Sequence, residues 1–169
     1  MHEVIKAAES DIDVIVGLAD RAGLALWSRD DYAEAANSRD RLLLAARENA
    51  VNVVGFILVQ LLCASGDAVD VEILNIAVDP RFKRKGIGRR LLATALEMIP
   101  IDPDSKVLLE VRASNLSAIA FYRRYGFHEQ AVRRAYYRDP TEDAILFGAD
   151  AEKVLTKLKS ASDLRETIN

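Results

Sequence analysis

One stretch limits the architecture more than any other. In DVEILNIAVDPRFKRKGIGRRLLATALEMIP, from Asp70 to Pro100, a long apolar strand runs into a basic loop and then into a helix. DVEILNIAVD reads as strand. From Gly86 to Ile99 the period becomes helical, with Leu91, Leu92, Ala95, Leu96 and Ile99 on one face. Pro100 and Pro103 stop that helix. A strand handed to a helix through so short a connection places the chain among mixed α/β sheets.

The flanking segments extend this order. ESDIDVIVGLADRAG reads as a helix with Ser10 as N-cap, Asp13 three residues on, and Ile12, Ile15, Val16 and Ala19 as its stripe. WSRDDYAEAAN repeats the signal with Ser28 and Asp31. RLLLAARENAVNVVGFILVQLLCA reads as two strands joined near Glu48 to Ala50, and GDAV as a turn. KVLLEVRA is a strand too apolar to be half exposed, hence central. SNLSAIAFYRRYG is a helix capped by Ser114 or Asn115 and closed by Gly126. RRAYYRD and DAILFGA form a strand pair around DPTE, and AEKVLTKLKSASDL is a last amphipathic helix. The predicted order is two helices, three strands, helix, strand, helix, two strands, helix. One domain is expected over residues 1–149, with a helical tail over 150–169.

Composition narrows the class. Half of the 169 residues are hydrophobic and 29% are charged, which is a globular balance. Cys63 is the single cysteine, so there is no internal disulfide framework, and Cys63 is expected in a loop after a strand. The only histidines, His2 and His128, lie far apart, and no Cys/His cluster has zinc spacing; no metal is expected. His128 follows a helix end and reads as a surface or capping residue. The opening MHEVIKAAESD lacks a basic start followed by an apolar core, so no signal peptide is expected. The longest apolar run, VVGFILVQLLCA, is too short to span a bilayer and contains Gln60. A cytoplasmic protein without membrane association is the expectation.

Charge is uneven. Between Arg81 and Arg90 stand six basic residues and no acidic one. The whole chain is −3, so with +6 in this run the remainder carries −9. Nucleic-acid binders are usually basic over a face or a domain, and here Phe82 is the only interleaved aromatic. A small, highly charged anion fits better than a nucleic acid. The loop opens a helix, whose first N–H groups and dipole attract phosphate. Gly86 and Gly88 let a ligand approach the backbone. The spacing is neither a dinucleotide fingerprint, since Leu91 stands at the third glycine, nor a P-loop, since no Gly-Lys-Ser/Thr follows.

Taken together, LNIAVDPRFKRKGIGRRLL, LLEVRASNLSAIAFYRRYGF and RRAYY…EDAILF resemble the Gcn5-related N-acetyltransferase (GNAT) superfamily, nearest its bacterial ribosomal-protein alanine N-acetyltransferase branch. The resemblance is specific from Leu74 to Phe147. Lys83 departs from the Gln/Arg that opens the superfamily's phosphate loop, while Gly86 and Gly88 match. It implies a mixed, mostly antiparallel twisted central sheet flanked by helices. It implies acetyl-CoA as co-substrate, its pyrophosphate on the backbone of Arg84, Lys85, Gly86, Ile87, Gly88 and Arg89. The backbone of Ile76, Ala77 and Val78 would pair with the pantetheine arm, and Asn115 would hydrogen-bond the cofactor. Singly, Ile76 and Val78 are also ordinary strand core and Asn115 an ordinary helix cap.

For chemistry, the resemblance makes Glu110 the proton acceptor and Tyr122 the proton donor. An α-amine, with a reference pKa of about 7.7–8.0 against about 10.4 for lysine, becomes neutral at a cost of only ~1 kcal/mol at pH 7. A carboxylate acting directly or through one water suffices for that. A tyrosine hydroxyl, pKa about 10, can protonate a departing thiolate whose pKa is about 8.5. By spacing alone Glu110 is also a solvent-facing strand residue, and Tyr122 belongs to a core stripe with Ala118, Phe121 and Tyr125. Trp27, in LALWSRDDY, and Tyr136 with Tyr137 would line the acceptor site; Leu26 stands where relatives carry proline. The expected acceptor is a peptide N-terminus such as that of a small-subunit ribosomal protein. A small-molecule amine and a non-catalytic CoA-binding module stay open as alternatives. The tail after Ala149 covers the sheet edge or supports a homodimer.

Overall fold

Among the described residues the chain forms seven strands and five α-helices. The computed structural model describes residues 2–24, 27–63 and 69–166, the side chains of Cys63 and of residues 162–166 excepted. In chain order these are β1 (Glu3–Lys6), α1 (Ile12–Arg21), α2 (Arg29–Asn37), β2 (Arg41–Arg47), β3 (Val53–Cys63) and β4 (Val69–Val78). Then follow α3 (Ile87–Met98), β5 (Lys106–Arg112), α4 (Leu116–Arg124), β6 (His128–Arg138), β7 (Thr141–Asp150) and α5 (Ala151–Glu166). The strands make one sheet in the order β1-β2-β3-β4-β5-β7-β6, and every register described is antiparallel.

The chain divides into two compact units, residues 1–61 with 73–99, and residues 62–72 with 100–169. In the first, β3 is buried on both faces from Val53 to Val59, which explains why VVGFILV reads as an unbroken apolar run. Its core joins Ile12, Ile15, Leu18 and Ala19 of α1, Tyr32 and Ala35 of α2, and Leu43, Ala45, Phe56 and Leu58 of the strands. Ser28 caps α2 as expected, with Asp31 closing the capping box. Ser10 does not cap α1. A 3-10 turn, Glu9–Asp11, precedes that helix, and Asp11 takes the role instead. Its buried carboxylate accepts from the N–H of Ala8 at 2.8 Å and pairs with Arg47 at 2.7 Å.

In the second unit β5 lies between β4 and β7, interior as expected, but only alternate residues are fully buried. Val107, Leu109 and Val111 turn inward, and Leu108, Glu110 and Arg112 form a half-open face. Tyr122 packs against Phe127 and Phe147, with ring centroids at 5.3 and 6.3 Å. Asn115, rather than Ser114, caps α4 by accepting from the N–H of Ala118 at 3.1 Å. Gly126 follows with φ of 95°. Along α5, Ala151, Val154 and Leu158 are buried.

Other expectations need correcting. The edge strand β1 has no counterpart in the sequence reading, because four residues carry too little alternation to register. Cys63 ends β3 rather than standing in a loop. Val69 already belongs to β4, and the rest of the GDAV turn, with Leu26, lies outside the described residues. The strand β6 begins at His128, well before RRAYY.

Candidate active site

The basic loop grows from the end of β4. Asp79 accepts from the N–H of Arg81 at 2.9 Å and from its guanidinium at 3.0 and 2.8 Å. Those bonds hold the Asp79 carboxyl down at about 2. Arg81 is therefore committed to a neighbour, and only the remaining cations of the run add to the loop's potential. Pro80–Phe82 makes a 3-10 turn, after which Arg84 and Gly86 adopt left-handed backbone, φ 61° and 80°. Gly86 is the N-cap of α3 and offers no side chain. The first-turn N–H groups of a helix lack intrahelical acceptors, and here nothing from the cap residue covers them. Lys83, Arg84 and Lys85 are exposed beside them, Lys85 lying 4.6 Å from the Phe82 ring centre. Open helix amides, an αL glycine and exposed cations fit a diphosphate.

Upstream, Ala77 is buried while Ile76 and Val78 are half-buried. Gly55 of β3 lies against this segment. A Cβ there would stand 2.9 Å from the Ala77 carbonyl oxygen and 3.3 Å from Val78. Asn75, also buried, donates through Nδ2 to the Tyr32 hydroxyl at 3.3 Å. Burial pushes that phenol's pKa up. Trp27 is half-buried on the same core, 5.6 Å from the Tyr32 ring, with Arg41 at 5.5 Å from its ring centre.

The second unit holds the carboxylate predicted to act as base. Glu110 stands on the half-open face of β5, and Arg133 of β6 pairs with its Oε1 at 2.6 Å. The Tyr136 hydroxyl hydrogen-bonds to Glu110, which raises the tyrosine's pKa. The Arg133 guanidinium lies 5.4 Å from the Tyr136 ring centre. Tyr137 is half-buried, its pKa raised by burial and then by the Glu110 charge. Arg112 sits 4.0 Å from the Tyr137 ring centre and pairs with Glu142 at 3.2 Å. Glu72 of β4 feels burial and the Glu110 charge, both raising its pKa, and Arg133 in opposition. Tyr122 is buried, and burial with the nearby Tyr137 pushes its pKa up.

A bulge aims these groups. Arg133 pairs with Ala144 and Tyr137 with Glu142, so residues 134–136 face Asp143 alone. Ala135 takes φ of 48°, and the Asp143 carboxylate accepts from its N–H at 2.9 Å and from Arg134 at 2.6 Å. Glu110, Tyr136 and Tyr137 thus come together, with Tyr122 in electrostatic reach of Tyr137. Arg133, Glu72 and Asp143 were not anticipated. Arg133 stands in RRAYY, but alternation cannot reveal which arginine turns inward across a bulge. A groove of about 720 Å³ runs past Leu108, His128, Gln130 and Gly148, and neither Glu110 nor Tyr136 lines it.

The acetyltransferase (GNAT) family model matches residues 12–127. A ribosomal protein bS18-alanine N-acetyltransferase of Escherichia coli K12 is 32% identical over 148 residues, covering 86% of this chain and 95% of that protein. An N-alpha-acetyltransferase, RimI, of Mycobacterium tuberculosis is 40% identical over 82 residues, 48% of this chain and 50% of that one. The crystal structure of the ribosomal-protein-S18-alanine N-acetyltransferase from Escherichia coli superposes with a TM-score of 0.75 at 30% identity, covering 89% of this chain and 94% of that one.

Proposed function

Since the chain belongs to the acetyltransferase (GNAT) family and is an acetyl-CoA-dependent N-acetyltransferase, we propose that it acetylates the N-terminal α-amine of a protein, a small-subunit ribosomal protein in particular. The observation that carries this reading is the Glu110 carboxylate, held on a half-open strand face by Arg133 and the Tyr136 hydroxyl. A general base has to be oriented and reachable; the Arg133 pair and the half-open strand face support Glu110 in that role.

Acetyl-CoA supplies the activated acyl group as substrate. The backbone from Arg84 to Arg89 takes its pyrophosphate, the backbone of Ile76, Ala77 and Val78 takes its pantetheine arm, and the Asn115 amide donates to it. Glu110 receives the proton that the acceptor amine must lose, directly or through one water. Tyr122 gives its proton to the departing thiolate. Its phenol carries its proton at neutral pH, as an ordinary tyrosine does. Tyr136, Tyr137 and Trp27 line the acceptor's approach. An α-amine needs only this modest base, whereas a lysine amine costs several kcal/mol more to deprotonate at pH 7.

The test is acetyl transfer, followed by thiol release, to peptides copying the host's ribosomal-protein N-termini and to a panel of polyamines, amino acids and amine drugs. Peptides are expected to react. Reaction of the small amines alone overturns the protein acceptor. Glu110→Gln is expected to lower kcat about 10²- to 10⁴-fold while acetyl-CoA binds as before. Undiminished turnover removes Glu110 from the mechanism.

A further inference from the structure

One guanidinium of the second unit makes several contacts at once, and the proposed mechanism uses none of them. Arg112 stands on the half-open face of β5, two residues from Glu110. Its Cζ lies 4.0 Å from the Tyr137 ring centre. Its Nη1 donates to the Glu142 carboxylate at 3.2 Å, and its Nη2 to the Asp139 carbonyl at 3.2 Å. Tyr137 and Glu142 are themselves partners across the β6–β7 ladder, the first rung on the turn side of the bulge. Arg112 therefore grips both members of one rung, and the turn beyond it, from a third strand.

The grip is sheltered. The Arg112 side chain is 22% exposed and that of Glu142 16%. Partly buried pairs are screened much less than surface ones. The other Glu142 oxygen accepts from the Ser114 N–H, so both oxygens of that carboxylate are committed. Tyr137 carries the effect toward the site. Its ring meets that of Tyr136 edge-on, with centroids at 5.2 Å. Tyr136 lies in the bulge, without a ladder partner, and is 46% exposed. The exposed ring is thus backed by one that Arg112 holds. Arginine suits the task because its plane can lie on a ring while its edge donates to oxygen atoms. A lysine ammonium is a compact point charge and cannot do both in a fixed geometry.

We propose that Arg112 is a positioning residue for the acceptor: by clamping the Tyr137–Glu142 rung it sets the wall that Tyr136 and Tyr137 present. The proposal rests on the reading of those two tyrosines as lining the acceptor's approach. It does not depend on which group acts as base.

The experiment is steady-state kinetics on the full chain with a short peptide carrying a free N-terminal alanine, each substrate varied in turn. It compares wild type with Arg112→Lys, Arg112→Met, Tyr137→Leu and the double variant of the last two. Both arginine variants are expected to raise the acceptor KM about 3- to 10-fold, with the KM for acetyl-CoA as in wild type. Lysine is expected not to rescue, since it keeps the charge and loses the fork. In the Tyr137→Leu background, Arg112→Met is expected to add much less than it does alone. A wild-type acceptor KM in Arg112→Lys overturns the proposal, because charge alone then suffices. A full additional rise in the double variant overturns it too, by giving Arg112 a route that bypasses Tyr137. Equal rises in both KM values make Arg112 a support of the fold alone, with the same result. An unchanged acceptor KM in Tyr137→Leu defeats the wall reading and this proposal with it. A raised one beside two unresponsive arginine variants defeats this proposal only. A wild type inert toward the peptide defeats the protein acceptor and this proposal together. Tm is measured for each variant, and Arg112→Lys closes the same cycle where Arg112→Met melts below the assay temperature.

Discussion

Gly55 shows how much can depend on the absence of one methyl group. The Ala77 carbonyl oxygen would lie 2.9 Å from a Cβ at this position, and Ile87 at 3.4 Å also stands close. Backbone cannot yield as a side-chain tip can. Gly55→Ala is expected to destabilise the fold by about 1–3 kcal/mol, seen as a lower Tm. It should also raise the KM for acetyl-CoA, because the segment displaced is Ile76–Val78. Sequence alone made Gly55 one small residue in an apolar run. Glu110 was easier to notice, since a carboxylate interrupts the apolar run in VLLEV. Arg133 and Glu72 were not legible, because their meaning comes from partners on other strands. A chain written in one dimension does not say which of two adjacent arginines crosses to a carboxylate 23 positions earlier.

Longer elements carried stronger signals. Helix α3 was predicted within a residue of its observed ends, because a helical stripe, a glycine start and two prolines agree. Its cap is also where the chemistry of the loop can be tested. Gly86 has φ of 80°, and a residue with a Cβ pays about 1–2 kcal/mol for left-handed backbone. Gly86→Ala is expected to lower Tm by that cost. It is expected to raise the KM for acetyl-CoA about tenfold, corresponding to ~1.4 kcal/mol, if the first amides of α3 take the pyrophosphate as proposed. An unchanged KM places the pyrophosphate elsewhere. Short or irregular elements were read poorly. Strand β1 has four residues, and the start of α1 lies at Asp11, which pairs with Arg47 across 36 positions. The bulge of β6 is bonded to the Asp143 carboxylate on the next strand, and no local pattern in RRAYY announces it.

For the chain as a whole, acid is the informative stress. Asp150, at the join of β7 and α5, takes hydrogen bonds from Lys106 and Lys153, which hold its pKa at about 2. In an unfolded chain an aspartate titrates near 3.9. A carboxylate depressed on folding stabilises the native state above its unfolded pKa and loses that contribution as pH falls through the folded one. The contribution of Asp150 is thus complete at neutral pH and disappears between about pH 4 and pH 2. Asp150→Asn is expected to melt below wild type at pH 7, and the two Tm values should converge as pH drops from 4 to 2. A constant gap over that range assigns the loss to packing instead of charge. Asp79, held down by Arg81, belongs to the same window. The fold class and the ordered motifs were readable from sequence because they are repeated over many residues. The electrostatics were not, because each pair joins positions that only the finished fold brings close.

The bulge in β6 has one more consequence, for how such a protein varies. Residues 134–136 stand opposite Asp143 alone, while the ladder resumes at Tyr137 with Glu142 and holds at Arg133 with Ala144. Changes within those three positions leave the register on either side intact. The proposed acceptor wall can therefore change while the strand pairing beneath it stays as it is. A lineage could acquire a new acceptor preference here without first finding a compensating change in its core.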